Sequence, residues 1–159
     1  MSVAFTREED VEAAAAHLPD RPISSHPNIV TAEGLAALDK ALAEARAAYT
    51  AAQSLGGVQA DRSAMARATR DLRYYSARRA SAQLVEPAPN SDVVHFGSRV
   101  TFDRADGRRQ TFRIVGEDEA DAAKGSVSHV SPVARALLGK SVGDTATVAG
   151  GEVEVVAIG

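Results

Sequence analysis

Carboxylates, imidazoles and guanidiniums are the groups in this chain that could do chemistry, and their spacing limits what they could do. Glu117, Asp118, Glu119 and Asp121 fall in one short run. Clustered carboxylate oxygens are what a hard divalent cation needs, but a solvated acidic surface is the favoured reading, and no metal site is assigned. His17, His26, His95 and His129 are scattered without the short spacings of zinc ligands. The absence of cysteine removes thiolate nucleophiles, disulfides and cysteine-bound zinc, and it fits a reducing compartment. Gly56-Gly57 and Gly150-Gly151 lack the strand–glycine–helix setting of a phosphate loop. The densest charge is basic: Arg67, Arg70, Arg73, Arg78 and Arg79 face only Asp71 and Glu86. Arg67, Arg70 and Arg78 fall near successive turns of a helix, giving a basic stripe that could follow RNA. A solvated face paired in part with Asp39 and Glu44 explains the same residues, and both readings stay open.

Those arginines need a helix to align them, and the pattern supplies two. Thr31 is a candidate N-cap, after which Leu35, Leu38, Leu42, Ala45, Tyr49 and Ala52 recur at alternating steps of three and four, the seam of a coiled coil. Gly56-Gly57 stops that helix. A second helix is expected from about Ser63 to Leu84, with a weaker seam of Met65, Ala68, Leu72 and Tyr75 that meets Arg79 where an apolar residue belongs. So short a connection makes the two helices antiparallel neighbours, each arm about 36 Å long. A hairpin that buries one stripe must lean on something else for stability.

Flanking this hairpin, assigned to residues 31–86, are two different segments. Residues 1–30 read as an extension of net charge −3, from Arg7 and Arg21 against Glu8, Glu9, Asp10, Glu12 and Asp20. A capping box of Thr6 and Glu9 could start a short helix running to His17. Pro19, Pro22 and Pro27 then forbid regular structure, and a mobile acidic tail is preferred over a docked element. Residues 87–92 read as a linker. Residues 93–159 alternate in short runs: Val93–Phe96, Arg99–Phe102, Gln110–Val115, Ser126–Val130, Thr145–Val148 and Val153–Ile158. Turn pairs separate some of them, notably Asp106-Gly107 and Gly150-Gly151. One short helix interrupts the set, with Ser131 as N-cap, Pro132 at its first position and Gly139 at its end. The expected class is α+β: an antiparallel two-helix coiled coil followed by a small, mostly antiparallel sheet with one helix.

Composition agrees. The chain has 159 residues, 45% of them hydrophobic and only 4% aromatic, which suits close-packed, alanine-rich helices. A net charge of −3 gives no overall reason to expect nucleic acid or an anionic membrane as partner. No apolar run approaches the roughly 20 residues that span a bilayer, and the acidic N-terminus does not look like a secretion signal. A soluble, cytoplasmic protein with no membrane partner is expected.

The blocks His95-Phe96-Gly97-Ser98-Arg99-Val100-Thr101, Thr111–Asp121, Ser131–Lys140 and Val142-Gly143-Asp144, with their spacing, resemble the C-terminal domain of the GreA/GreB transcription factors. Thr31–Leu35 and Gln83-Leu84-Val85 resemble the start and end of that family's coiled coil. The resemblance runs over about residues 30–158 and leaves residues 1–28 outside. It implies an FKBP-like domain docked at the rim of the RNA polymerase secondary channel, with the coiled coil inserted into the channel. In cleavage factors of the family the coil tip carries Asp-x-x-Glu-Asn. Its carboxylates help hold a second Mg²⁺ at the polymerase active centre, where the metal activates water.

This chain departs from the family at that tip. Beyond Gly56 and Gly57, the best local match is Asp61-Arg62-Ser63-Ala64-Met65, in which Ala64 replaces the glutamate and Met65 the asparagine. Asp61 alone reads better as a helix cap than as a metal ligand. Each arm also lacks about one heptad of the family pattern, roughly 10 Å of reach, a shortening shared in stronger form by the Gre-related regulator Rnk. At the docking loop, Val130 stands where many relatives have Asp or Asn, while Ser131 and Pro132 are retained and Arg135 follows in the same helix. The resemblance thus implies a monomeric RNA polymerase-binding regulator. It would have no enzyme activity of its own and no cofactor, with Arg67, Arg70, Arg73 and Arg78 as candidate contacts to nascent RNA or the channel wall. A genuine cleavage factor and a Rnk-like regulator of metabolic enzymes are the alternatives. Prolyl isomerase activity is discounted, because the domain offers only Phe96, Phe102 and Phe112 for an aromatic pocket.

Overall fold

The computed structural model describes residues 18–55, 62–89 and 91–159. Thr31 begins the first helix as expected. Its Oγ1 accepts from the Gly34 N–H at 3.0 Å and its carbonyl accepts from the Leu35 N–H at 2.9 Å, so two donors of the first turn are satisfied. Helix α1 runs Ala32–Ser54 and helix α2 runs Arg62–Ser81. The seam holds: Leu38, Leu42, Ala45 and Ala68 are buried, and Tyr49, Met65, Leu72 and Tyr75 are half-buried. Arg79, the polar residue in the second seam, reaches Asp39 near the start of α1 at 2.5 Å. A residue at the end of one helix meeting one at the start of the other requires the antiparallel arrangement.

Two expectations change here. Helix α2 stops at Ser81 rather than Leu84. Gln83–Leu84 forms strand β2, parallel to strand β1 at Ile29–Val30, with Ile29 opposite Gln83 and Val30 opposite Leu84. Two-residue strands carry no periodic signal, and only tertiary pairing satisfies the Gln83 N–H on Asn28 and the Val85 N–H on Val30. The extension also differs. Leu18–Ser25 lies on α2, where Asp20 pairs with Arg73 at 3.2 Å and Arg21 pairs with Asp71 at 3.5 Å. The expected helix before His17 lies outside the described residues.

The sheet has five strands in the order β5-β4-β3-β7-β6: β3 Arg99–Arg104, β4 Arg109–Val115, β5 Ser126–Ser128, β6 Thr145–Val148 and β7 Gly151–Ile158. All neighbours are antiparallel except β4 and β5. Helix α3, Pro132–Leu137, is capped by Ser131 Oγ accepting from the Ala134 N–H, has proline at its first position and is followed by Gly139 at φ +81°. Alternation sorts the faces. Val100, Phe102, Ile114, Val153 and Val155 are buried with Ala134 and Leu137 of α3, while Thr101, Asp103, Arg109 and Thr111 stand on the opposite face.

The expected strand Val93–Phe96 is not one. Val94 and Phe96 are buried, but only Val93 bridges, to Ser141. Gly97 turns the chain at φ +87°, and the His95 N–H donates to Ser98 Oγ at 3.0 Å, so local side-chain bonds replace a ladder. Likewise β5 ends at Ser128, whose carbonyl accepts from the Ser131 N–H. The last hairpin turns on Ala149 and Gly150, at φ 51° and 78°, between the paired residues Val148 and Gly151. That is a turn with two left-handed residues, one position earlier than the glycine pair marks.

The described chain forms two compact units. One contains Leu38–Ser81 with the residues up to Ser25; the other contains His26–Ala37 with Ala82–Gly159.

Candidate functional site

Of the tip residues, Gly56, Gly57 and Asp61 lie outside the described residues. Arg62, exposed, begins α2, and Ala64 and Met65 follow half-buried. The first turn of α2 carries no acidic residue. A hard cation needs several oxygen ligands, and the described part of the tip presents no carboxylate.

The arginines do not form one exposed stripe. Arg67 is exposed and Arg73 is exposed but paired with Asp20. Arg70 is half-buried with its Nε 3.9 Å from Asp71 Oδ1. Arg78 is only 2% exposed, which withdraws it from any surface contact with a polymer. Asp39 is paired across the hairpin as anticipated, whereas Glu44 meets Lys40 one turn away at 4.0 Å. What the structure brings together instead is Arg62, Arg70 and Arg73, which line a groove of about 370 Å³ with Met65, Ala66, Thr69, Leu18 and Asp20.

Arg21 was missed as a binding group by reasoning from periodicity, because proline-flanked segments have none. Its guanidinium lies 3.8 Å from the Tyr74 ring centroid and 5.2 Å from that of Tyr75. Hydrogen bonding to Tyr75, set against partial desolvation, holds its pKa above the ordinary value. The signal in the sequence was the adjacent tyrosine pair on α2, one more than a seam needs.

In the sheet-containing unit, Val130 and Ser131 are half-buried, and Pro132 and Arg135 are exposed. The Ser131 hydroxyl is occupied as a cap, so its side chain presents the loop rather than a free acceptor. Val142 at 59% and Val93 at 42% are exposed apolar residues of the same unit.

The acidic run resolves into structural bonds. Glu119 Oε1 accepts from Thr31 Oγ1 at 2.5 Å, and Oε2 accepts from the N–H groups of Thr31 at 3.2 Å and Gly116 at 3.3 Å. Asp121 caps the short 3₁₀ turn Ala122–Lys124. No cluster of carboxylates and imidazoles with metal-holding geometry occurs among the described residues. Near Glu119, a bond to its own backbone N–H and then the charge of Arg113, 3.4 Å away, hold the Glu33 carboxyl below its ordinary range. His129 packs edge-on against Phe96, with centroids 5.7 Å apart. No helix among the described residues is long and apolar enough to cross a membrane.

Comparison with known proteins places these features in a family context. Residues 88–159 match the family model described as transcription elongation factor, GreA/GreB, C-term. GreB of Yersinia pestis is 37% identical over 136 residues, covering 76% of this chain and 80% of that protein. GreA of Legionella pneumophila (strain Paris) is 36% identical over 151 residues, covering 92% of this chain and 88% of that protein. That alignment extends beyond residues 30–158 into the N-terminal extension. GreA of Bacillus licheniformis is 46% identical over 79 residues, and there the chain spans 50% of the relative's length. Among solved structures, GreA factor homolog 1 (Gfh1) of Thermus thermophilus is 25% identical, covering 84% of this chain and 99% of that one at a TM-score of 0.39.

Proposed function

Because the chain belongs to the GreA/GreB family of transcription elongation factors, we propose that it binds RNA polymerase at the secondary channel and modulates transcription there without stimulating transcript cleavage. The observation that carries the second half is the first turn of α2, which has no acidic residue. Ala64 and Met65 stand where a cleavage factor of this family has glutamate and asparagine, so a shared Mg²⁺ would lack its ligands. Reach points the same way: α1 and α2, at 23 and 20 residues, are about 35 and 30 Å long.

Docking falls to the loop entering α3. Val130, Pro132 and Arg135 offer apolar and cationic surface, and Ser131 fixes its shape by capping the helix. Arg67 and Arg73, both exposed, are the groups available to nascent RNA or the channel wall. The protein acts as a monomer, since the hairpin supplies its own coiled-coil partner, and it contributes no catalytic group and no cofactor of its own.

Two measurements test this reading. Titration against core RNA polymerase is expected to give saturable binding that weakens in Pro132→Ala and Arg135→Ala. Failure to bind polymerase would move the protein's role outside transcription, towards regulation of other enzymes. In arrested complexes with labelled RNA, the protein is expected to compete with an authentic cleavage factor and to leave the transcript intact across a range of Mg²⁺. Robust shortening of the transcript by the unmodified protein would make it a cleavage factor and overturn the proposal.

A further inference from the structure

Arg62, Met65, Ala66, Thr69, Arg70 and Arg73 fall on one face of α2, because offsets of three, four, seven, eight and eleven residues nearly coincide on a helix of 3.6 residues per turn. Leu18 and Asp20 form the opposite wall of the groove, whose volume of about 370 Å³ lies within the roughly 300–1,000 Å³ of small-molecule pockets. Three of its lining residues are guanidiniums and one is a carboxylate. That carboxylate, Asp20, is already engaged by Arg73 at 3.2 Å.

Arg70 is the telling member. Its Nε is buried and has no hydrogen-bond partner among the described residues. Asp71 Oδ1, at 3.9 Å, is beyond hydrogen-bonding reach and is shared with Arg21 at 3.5 Å. A buried cationic donor left without an acceptor is costly, and the acceptor that suits a guanidinium fork is a planar or tetrahedral oxyanion. Between the arginines the groove is lined by Leu18, Met65 and Ala66 together with Thr69, whose hydroxyl donates to the Met65 carbonyl at 2.7 Å.

We infer that this groove binds a phosphorylated small molecule of about mononucleotide size. The phosphoryl oxygens sit at Arg70 and Arg73, about 4.5 Å apart along the helix axis. The body of the ligand lies over Leu18, Met65 and Ala66, and Arg62 closes the far end about 12 Å from Arg70. A compact ligand is favoured over RNA because the Leu18–Asp20 segment crosses the arginine face. A polymer following the whole face must displace the Leu18–Asp20 segment, whereas a compact ligand need only share Arg73 with Asp20, which engages Arg73 through Nη1. The groove shares Arg62 and Met65 with the candidate tip and Arg73 with the candidate channel contacts, but binding of a small ligand there does not require polymerase.

The test is calorimetric titration of the full chain with ADP, inorganic phosphate, adenosine and a short single-stranded RNA. Saturable one-to-one binding of ADP is expected, with phosphate weaker and adenosine without effect. The Arg70 Nε–Hε resonance should shift on adding ADP. Arg70→Lys keeps the charge but loses the Nε–H, and it should weaken ADP by about tenfold or more; Arg67→Ala, outside the groove lining, should leave ADP affinity unchanged. Arg73→Gln, expected to weaken ADP similarly, serves if the Arg70 variant is unstable. Absence of saturable ADP binding at millimolar concentration, or unchanged affinity in a folded Arg70 variant, overturns the inference. So does RNA that binds more tightly than ADP with the same dependence on Arg70, which would assign the groove to a polymer.

Discussion

At the scale of single residues, Glu119 does most to hold the start of α1. One carboxylate serves the Thr31 hydroxyl, the Thr31 N–H and the Gly116 N–H, and Thr31 itself is fully buried. Glu119→Ala leaves those donors without acceptors and is expected to cost about 1–3 kcal/mol, read by denaturant unfolding; no loss would mean water replaces the carboxylate fully. Gly34 belongs to the same arrangement, because a Cβ there would lie 1.9 Å from Glu119 Oε2. Ala149 is the opposite case, a non-glycine residue at φ 51°. Relieving its left-handed strain with Ala149→Asn should stabilise by about 1 kcal/mol, visible as a higher Tm. Glu33 gives a pH prediction. Its folded pKa is depressed by its own backbone N–H and by Arg113, so its stabilising contribution is present above its unfolded pKa and is lost as pH falls through the folded value. Arg113→Gln should therefore move the Glu33 carboxyl midpoint upward in an NMR titration. An unchanged midpoint would assign the whole depression to the backbone bond.

At the scale of elements, the hairpin raises the question of what supports a two-helix stripe. The described extension is an answer within the same compact unit. Arg21 spreads over Tyr74 and Tyr75 and pairs with Asp71, while Asp20 holds Arg73. A partly exposed cation–π contact contributes about 0.5–1 kcal/mol, and a half-exposed ion pair at most about 1 kcal/mol. Arg21→Ala is thus expected to lower the stability of α2 by about 1–2 kcal/mol. Hydrogen exchange should show faster opening of amides in α2 and little change in β3 or β7. Uniform acceleration across both units would mean that the contact is not local. The two proline-flanked charges could be read from the sequence, but their partners could not, since fifty residues separate them and no periodicity links the two segments.

At the scale of the whole molecule, the sheet-containing unit is assembled from two stretches of chain, His26–Ala37 and Ala82–Gly159. Its buried cluster lies within the second stretch, from Val94 to Val155, with Ile29 and Val85 packed against it. A fragment of residues 88–159 is therefore expected to melt cooperatively, but at a lower temperature than the same sheet in the full chain. It has lost β1, β2 and the Thr31–Glu119 bonds. Non-cooperative melting of that fragment would show that the first stretch is needed for folding and not merely for added stability.

The sequence by itself determined what depends on neighbours in the chain. The helical seam from Leu35 to Ala52, the Ser131–Pro132 start of α3 and the Asp106-Gly107 turn are all legible because period, capping and turn chemistry are local. The spacing of its motifs also identified the family. Tertiary structure alone decided what depends on residues far apart in sequence: that Gln83–Leu84 leaves the helix to pair with Ile29–Val30, that Val94 and Phe96 fill the core from a loop, and that Glu119 caps a helix 88 positions away. It also sorted the arginines. On a bare helix Arg70, Arg73 and Arg78 are alike; the packed chain buries Arg78, pairs Arg73 with Asp20 and leaves the Nε of Arg70 without a hydrogen-bond partner among the described residues, because desolvation and hydrogen-bond satisfaction are properties of the packed surroundings and not of the residue.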